Sequence, residues 1–203
     1  HDAVYPDLTF NLNGAHVLKS SDGGQSFPEM SNGFPIETKT SINAIVVHPK
    51  NPDIAYVMTT LHETETAIGI YKTTNGAKSW FPVNDGLDVF TNDLQMDPIN
   101  PEVLYAASES GVYKTTDAAQ TWSKASTGLP NGPVIDMAID PLNPLVLYAI
   151  TPEDIYRTRD GAKHWYQSNA GLPLLEPSSA ILSAQEWLSE QLRLDRTKTG
   201  HSM

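Results

Sequence analysis

The residues of this chain whose types could do chemistry are acids on segments rich in turn formers. Glu63, Glu65, Asp85, Asp88, Asp93, Glu109, Asp136, Glu153 and Asp154 fall between runs of β-branched and aromatic residues, where connecting loops carry most binding and catalytic groups. Two carboxylates facing one cleft can act as general acid and general base, whereas acids scattered over several units form a solvated rim. On the segment from Leu61 to Gly69, His62 stands beside Glu63 and Glu65, a local cluster able to reach a ligand. It lacks the second histidine of a zinc helix, and the histidines at 1, 16, 48, 62, 164 and 201 show no metal-binding spacing, so no metal is expected. No Gly-rich phosphate loop leads from a strand into a helix and no Gly-x-Ser-x-Gly occurs, so neither a cofactor nor a serine nucleophile is expected.

Composition narrows the partners. Thirteen Lys and Arg against 24 Asp and Glu leave a formal charge of -11, a field that repels phosphate backbones and anionic lipid. Nucleic acid and membrane are therefore not expected as partners, and no apolar run approaches the roughly 18 to 20 residues of a spanning helix. The absence of cysteine removes disulfides, thiolate metal sites and thiol nucleophiles together. A chain of 203 residues with 39% hydrophobic content is long enough for one ordinary globular core.

The elements that must position the acids recur along the chain. One ten-residue string appears four times, as Leu18 to Phe27, Tyr71 to Trp80, Tyr113 to Trp122 and Tyr156 to Trp165, with Asp22, Asn75, Asp117 and Asp160 in register. The steps between those positions are 53, 42 and 43 residues, and the Leu61 to Gly69 insertion accounts for the longer one. A second marker, His48-Pro-Lys-Asn-Pro52, Asp97-Pro-Ile-Asn-Pro101 and Asp140-Pro-Leu-Asn-Pro144, falls once in each of the last three units, and a glycine at 33, 86, 128 or 171 closes each unit. Between the markers lie four short apolar stretches per unit. In one unit these are Ile42 to Val47, Ala55 to Met58, Ile70 to Thr73 and Trp80 to Val83. Strands so short and so uniformly apolar must bury both faces, which sheets achieve by stacking around an axis as propeller blades.

These strings resemble the Asp-box, or bacterial neuraminidase repeat, of pattern Ser/Thr-x-Asp-x-Gly-x-Thr/Ser-Trp/Phe. Ser20 to Phe27 matches nearly fully, while Asn75 replaces Asp, Ala77, Ala119 and Ala162 replace the second Gly, and His164 replaces Ser/Thr. An Asp or Asn here can accept backbone N–H groups of the following turn, and small residues after it permit positive φ. The box residues Asp22, Phe27, Asn75, Trp80, Asp117, Trp122, Asp160 and Trp165 are therefore expected to be structural, the tryptophans dropping between blades where an indole buries a large apolar area. The resemblance covers residues 8 to 173, and implies that the boxes face away from the ligand site.

The activities of similar proteins can be held against this chain. A sialidase needs three arginines gripping the substrate carboxylate, and the four arginines here, at 157, 159, 193 and 196, lie in a box or in the tail. The xyloglucanase-type hydrolases share the Asp-Pro-x-Asn-Pro and Gly-Leu-Pro features and need two carboxylates flanking a cleft, for which the nine acids are candidates. The photosystem-assembly propellers present an arginine-rich patch that is missing here. The vacuolar-sorting-receptor propellers carry cysteine-rich modules, which this chain also lacks. The expected protein is all-β: a β-propeller segment over 1–173 of about four four-stranded blades, the first incomplete, joined by Asp-box turns. Residues 174–203 then form a linker, a short amphipathic helix with its capping box at Ser183 to Glu186, and a tail. Its expected work is non-catalytic binding of a glycan or protein through blade-connecting loops, at His62, Glu63, Glu65, Asp85, Glu109 and Glu153, with an xyloglucanase-type hydrolase as the alternative. A secreted or periplasmic location is expected, together with self-association or membership of a longer propeller.

Overall fold

The computed structural model describes residues 9–13, 16–33, 40–61, 69–87 and 90–168. Within them lie fourteen strands and no helix, so the helix expected after Ser183 falls outside the described residues. Blade I holds β1 (Thr9–Asn13) and β2 (His16–Ser20). Blade II is built from β3 (Thr40–Val47), β4 (Ala55–Leu61), β5 (Gly69–Thr73) and β6 (Phe81–Pro82). Blade III contains β7 (Thr91–Met96), β8 (Leu104–Ser108), β9 (Gly111–Thr115) and β10 (Ser123–Lys124). Blade IV contains β11 (Asp136–Ile139), β12 (Leu147–Ile150), β13 (Ile155–Thr158) and β14 (Tyr166–Gln167). Each sheet is an antiparallel meander in sequence order. First strands of neighbouring blades meet, β3 with β7 and β7 with β11, which puts them at the inner edge.

Burial is deepest in the second strands. Every residue of β8, which lies between blades II and IV, is buried, and so is every residue of β12. The first-to-second strand turns cap themselves. Asp97 Oδ1 accepts the Ile99 and Asn100 N–H groups at 2.8 and 2.9 Å, Asp140 Oδ1 accepts that of Leu142 at 2.9 Å, and His48 Nδ1 accepts that of Lys50 at 3.1 Å in their place.

Three features repeat at every joint. The indole N–H of Trp80, Trp122 and Trp165 donates to a carbonyl of the preceding blade, Met30, Val83 and Ala125 respectively, at 2.8 to 2.9 Å. The backbone N–H of each Trp donates to Asn32, Asp85 and Thr127. Each acceptor precedes a positive-φ glycine, Gly33, Gly86 or Gly128, that lies against the Trp backbone. Third-strand lysines add the last link. Lys19, Lys72 and Lys114 reach the carbonyls of Gly76, Ala118 and Gly161 in the next blade's turn, the latter two lysines lying over Tyr56 and Tyr105.

Blade I departs from the expected pattern at its outer edge. Its fourth-strand position is held by a Leu18 to Glu29 bridge and by the Met30 N–H to Val17 carbonyl bond, without a strand. Phe27 is 37% exposed where Trp80, Trp122 and Trp165 are 2 to 5% exposed. The described residues contain no blade ahead of it to cover the ring, so Phe27 does not drop into a joint.

Positive φ recurs just after each Asx position, at Gly23, Gly76 and Gly161, and blade III places Ala118 there at φ 58°. An L side chain in this region is strained. Ala118→Gly is therefore expected to stabilise the chain by about 0.5 to 1 kcal/mol despite the extra freedom it gives the unfolded state. A lower urea midpoint than wild type would count against this.

Candidate functional site

The β8–β9 and β12–β13 turns lie at the same end of their blades as the starts of β7 and β11, since Thr91 pairs with Ser108 and Asp136 with Ile150. At that end β7 carries a bulge. Thr91 and Asp93 pair with consecutive residues of β8, so Asn92 is extra, and the kink turns it outward. Asn92 Nδ2 donates to Glu109 Oε1 and to the Val134 carbonyl, each at 3.0 Å, tying the β8–β9 turn to the segment that enters blade IV. The Val134 N–H returns the link to the Ser108 carbonyl at 2.9 Å.

One residue on, Asp93 crosses the same joint. Its Oδ2 accepts Gln95 Nε2 at 2.9 Å and the backbone N–H of Met137 at 3.1 Å. Asp136 Oδ1 accepts that same Met137 N–H at 2.8 Å, so two carboxylates from neighbouring blades converge on one hydrogen. Burial pushes the Asp93 carboxyl up to about 6, the Gln95 amide opposes the rise, and the Asp136 charge adds to it. Asn92, Asp93, Glu109 and Asp136 thus form one hydrogen-bonded seam across the joint of blades III and IV. Phe90, 40% exposed, holds the Glu109 N–H with its carbonyl at the edge of the seam.

Of the expected binding residues, Glu109 lies in this seam. Asp85 is exposed after β6 and takes part through its backbone carbonyl, which accepts the Trp122 N–H, so its place is the joint of blades II and III. Glu153 is exposed in the β12–β13 turn, and no described hydrogen bond joins it to Glu109. His62, Glu63 and Glu65 fall outside the described residues, as does Asp88. Asn92 and Gln95 were not among the expected residues. Their signal lies in the repeat register, because aligning the Pro-x-Asn-Pro turns puts Ala44, Asp93 and Asp136 at one position and Asn43, Asn92 and Ile135 at the one before. The polar pair Asn92-Asp93, where blade II has Asn43-Ala44 and blade IV has Ile135-Asp136, marks the spot.

The repeated turns use their acids differently. Asp22 Oδ1 accepts the N–H groups of Gln25 and Ser26, and Oδ2 the Ser26 hydroxyl at 2.6 Å. Asp117 holds Thr121 by both N–H and hydroxyl, Asp160 holds Lys163 and His164, and Asn75 accepts the Ser79 N–H. The Thr115 hydroxyl, followed by the Thr121 hydroxyl and N–H, draws the Asp117 carboxyl down to about 2. The Ser26 hydroxyl lowers Asp22 and the His164 N–H lowers Asp160 below the usual carboxylate range. For a depressed carboxyl the stabilising share is present above the unfolded value of 3.8 and is lost as pH falls toward the folded one. Asp117→Asn, which gives the turn the side chain that Asn75 already supplies, is expected to lessen acid sensitivity in that window. An acid-unfolding midpoint unmoved by the change would refute the assignment.

Among the described residues no group of three or more His, Asp or Glu is placed to hold a metal ion. Nor does any helix there have the length and apolarity to cross a membrane.

Four-stranded meanders stacked with their first strands inward define a partial β-propeller. No protein-family model matches the chain, and no curated protein matches it by sequence. Solved structures do match. An ancestral GH74 enzyme superposes with a TM-score of 0.67 at 23% identity, covering 85% of this chain and 25% of its own. The GH74 xyloglucanase from Xanthomonas campestris gives 0.65 at 20%, covering 83% and 29%. The extracellular domain of BT4673 from B. thetaiotaomicron gives 0.60 at 14%, covering 80% and 21%. The chain thus spans less than a third of the length of each, and identities this low carry the fold alone.

Proposed function

We propose that this chain is an Asp-box β-propeller segment working as a non-catalytic binding or scaffold module, which recognises a glycan or protein through the loops around Phe90, Asn92 and Glu109. The observation that carries this reading is the shared Met137 N–H. With oxygens of Asp93 and Asp136 at 3.1 and 2.8 Å from one nitrogen, those two oxygens cannot stand at the roughly 6.5 to 9.5 Å that leaves room for a water in an inverting glycosidase. Asp93 spans the blade joint, and Asp136 holds the amide that follows it in its own strand. Glu109 and Phe90 remain exposed beside them as an acceptor and an aromatic face, the pairing that suits a sugar ring or a peptide side chain. Asp22, Asn75, Asp117 and Asp160 are structural in this reading, each saturated by its own turn. The extracellular domain among the similar structures supports a secreted or periplasmic location.

A xyloglucanase-type hydrolase is the second reading, supported by the GH74 neighbours and by an Asp93 carboxyl raised to about 6, suited to a general acid. Titration calorimetry with xyloglucan oligosaccharides, beside an assay of reducing-end release, separates the two. Binding without turnover, weakened about tenfold by Glu109→Ala or Phe90→Ala, is the expected result. Turnover by wild type that Asp93→Asn abolishes would replace the module with an enzyme.

A further inference from the structure

We propose that the outer face of blade IV is a fourth joint, filled by this chain's own segment from Ser183 to Leu194, with Trp187 in the place that the next blade's tryptophan takes elsewhere. The socket comes first. In the repeat register Ile54, Tyr56 and Ile70 of blade II correspond to Val103, Tyr105 and Val112 of blade III, and to Val146, Tyr148 and Ile155 of blade IV. The first two sets receive Trp122 and Trp165 respectively. The third set, joined by Ile150, packs in a cluster whose members, Ala138 included, all belong to blade IV. Even so, Val146, Tyr148, Ile150 and Ile155 are only 1 to 6% exposed, a depth comparable to that of the blade III set under Trp165. A bare sheet face stays in contact with water, so this depth requires a cover, and Arg157 of the same blade lies over Tyr148 alone of the four.

One segment outside the described residues fits the socket. The chain leaves blade IV through β14 and continues over residues 169–203, next to the face in question. There Ser183 to Glu186 reads as a capping box, and Ala184, Trp187, Leu188, Leu192 and Leu194 share one stripe at helical spacing. Trp80, Trp122 and Trp165 fill the three described joints, and Trp187 is the remaining tryptophan of the chain. A second copy would present its blade I, whose box carries Phe27 in place of tryptophan. Charge agrees as well. Lys72 and Lys114, over Tyr56 and Tyr105, donate into the next blade's turn, and Arg157 lies over Tyr148 in the corresponding position. Glu190 follows Trp187 by one turn at the edge of the stripe, a carboxylate suited to a guanidinium at the rim of the socket.

The absence of cysteine allows one spin label to be placed at will. A nitroxide on Ser189→Cys, on the side of the segment away from the stripe, is read by methyl NMR on the whole chain at low concentration. The methyls of Val146, Ile150 and Ile155 are expected to lose most of their intensity, and those of Ile42 and Val57 in blade II to keep theirs. Nitroxide-bearing chains mixed with isotope-labelled chains that lack the nitroxide should broaden nothing. Without the label, Trp187→Ala should speed amide exchange in β12 and β13 roughly tenfold and leave β4 unchanged. Equal broadening in the mixed sample would assign the face to a second copy and overturn the proposal. Unbroadened blade IV methyls in the labelled chain, or β12 exchange equal in wild type and Trp187→Ala, would overturn it too. Should Trp187→Ala fail to fold, the nitroxide result decides alone.

Discussion

Trp122→Ala is expected to cost about 3 to 5 kcal/mol, one of the two largest effects of any single change considered for this chain. The indole is 5% exposed and packs among Tyr56, Ile70, Leu94, Met96 and Leu104, side chains drawn from both blades of the II/III joint. Burying an indole removes about 150 to 250 Å² from water, several kcal/mol at about 25 cal/mol per Å². Truncation also leaves the Val83 carbonyl without the indole N–H that reaches it at 2.9 Å. Trp122→Phe separates the two contributions, since it retains most of the packing and is expected to cost about 1 to 3 kcal/mol. Glu102→Ala, an exposed change, should stay within about 0.5 kcal/mol of wild type. Urea unfolding of the four proteins checks the set, and a Trp122→Ala midpoint equal to that of Glu102→Ala would mean that the blades are not joined through the indole.

Gly86→Ala should rival it, at about 2 to 4 kcal/mol, for a different reason. The residue has φ 79°, and a Cβ there would stand 2.3 Å from the Trp122 carbonyl oxygen. That oxygen belongs to backbone, which cannot swing aside as a side-chain tip does. Relief would require the neighbouring blade to move and break the Trp122 N–H to Asp85 carbonyl bond of 2.8 Å. Gly24→Ala is the control. Its φ is 87°, close to that of Gly86, and a Cβ would meet only the Phe27 ring at 3.7 Å, an ordinary contact, so backbone strain alone remains, about 1 kcal/mol. If the two variants unfold at the same denaturant concentration, steric contact at the joint contributes nothing.

Both effects rest on a joint built the same way three times, which places this protein among architectures whose stability is a sum over neighbouring units. The Lys114 to Gly161 bond and the Trp165 to Ala125 bond carry the pattern to blade IV. There Arg157 lies over Tyr148 as Lys72 lies over Tyr56 and Lys114 over Tyr105. Changes at Gly33 and Gly128, whose Cβ atoms would meet the Trp80 and Trp165 carbonyls at 2.2 Å, should behave like Gly86→Ala.

Much of this was legible in the residues themselves. The recurrence of Asx, small residues and an aromatic at one spacing, with Pro-x-Asn-Pro and a closing glycine, was enough to mark out blades, their four strands and the turns between them. Each of those signals is local: a proline without an N–H, an Asx side chain capping the turn that follows, an apolar run too short to stand alone. The bounds of β3 to β6 fall within a few residues of the four stretches expected from Ile42 to Val83. The exposure of Phe27 was not legible, because its string matches those of the buried tryptophans and a string does not record what packs against it. The pairing of Asp93 with Asp136 lay equally out of reach. Both stood among nine candidate acids, 43 residues apart, and nothing local distinguishes them from Asp85 or Glu153. Only stacking the first strands side by side, with a bulge at Asn92 that shifts the register by one, brings both carboxylates onto the Met137 amide. Which acid meets which depends on distances between blades, and those follow from packing of the whole molecule.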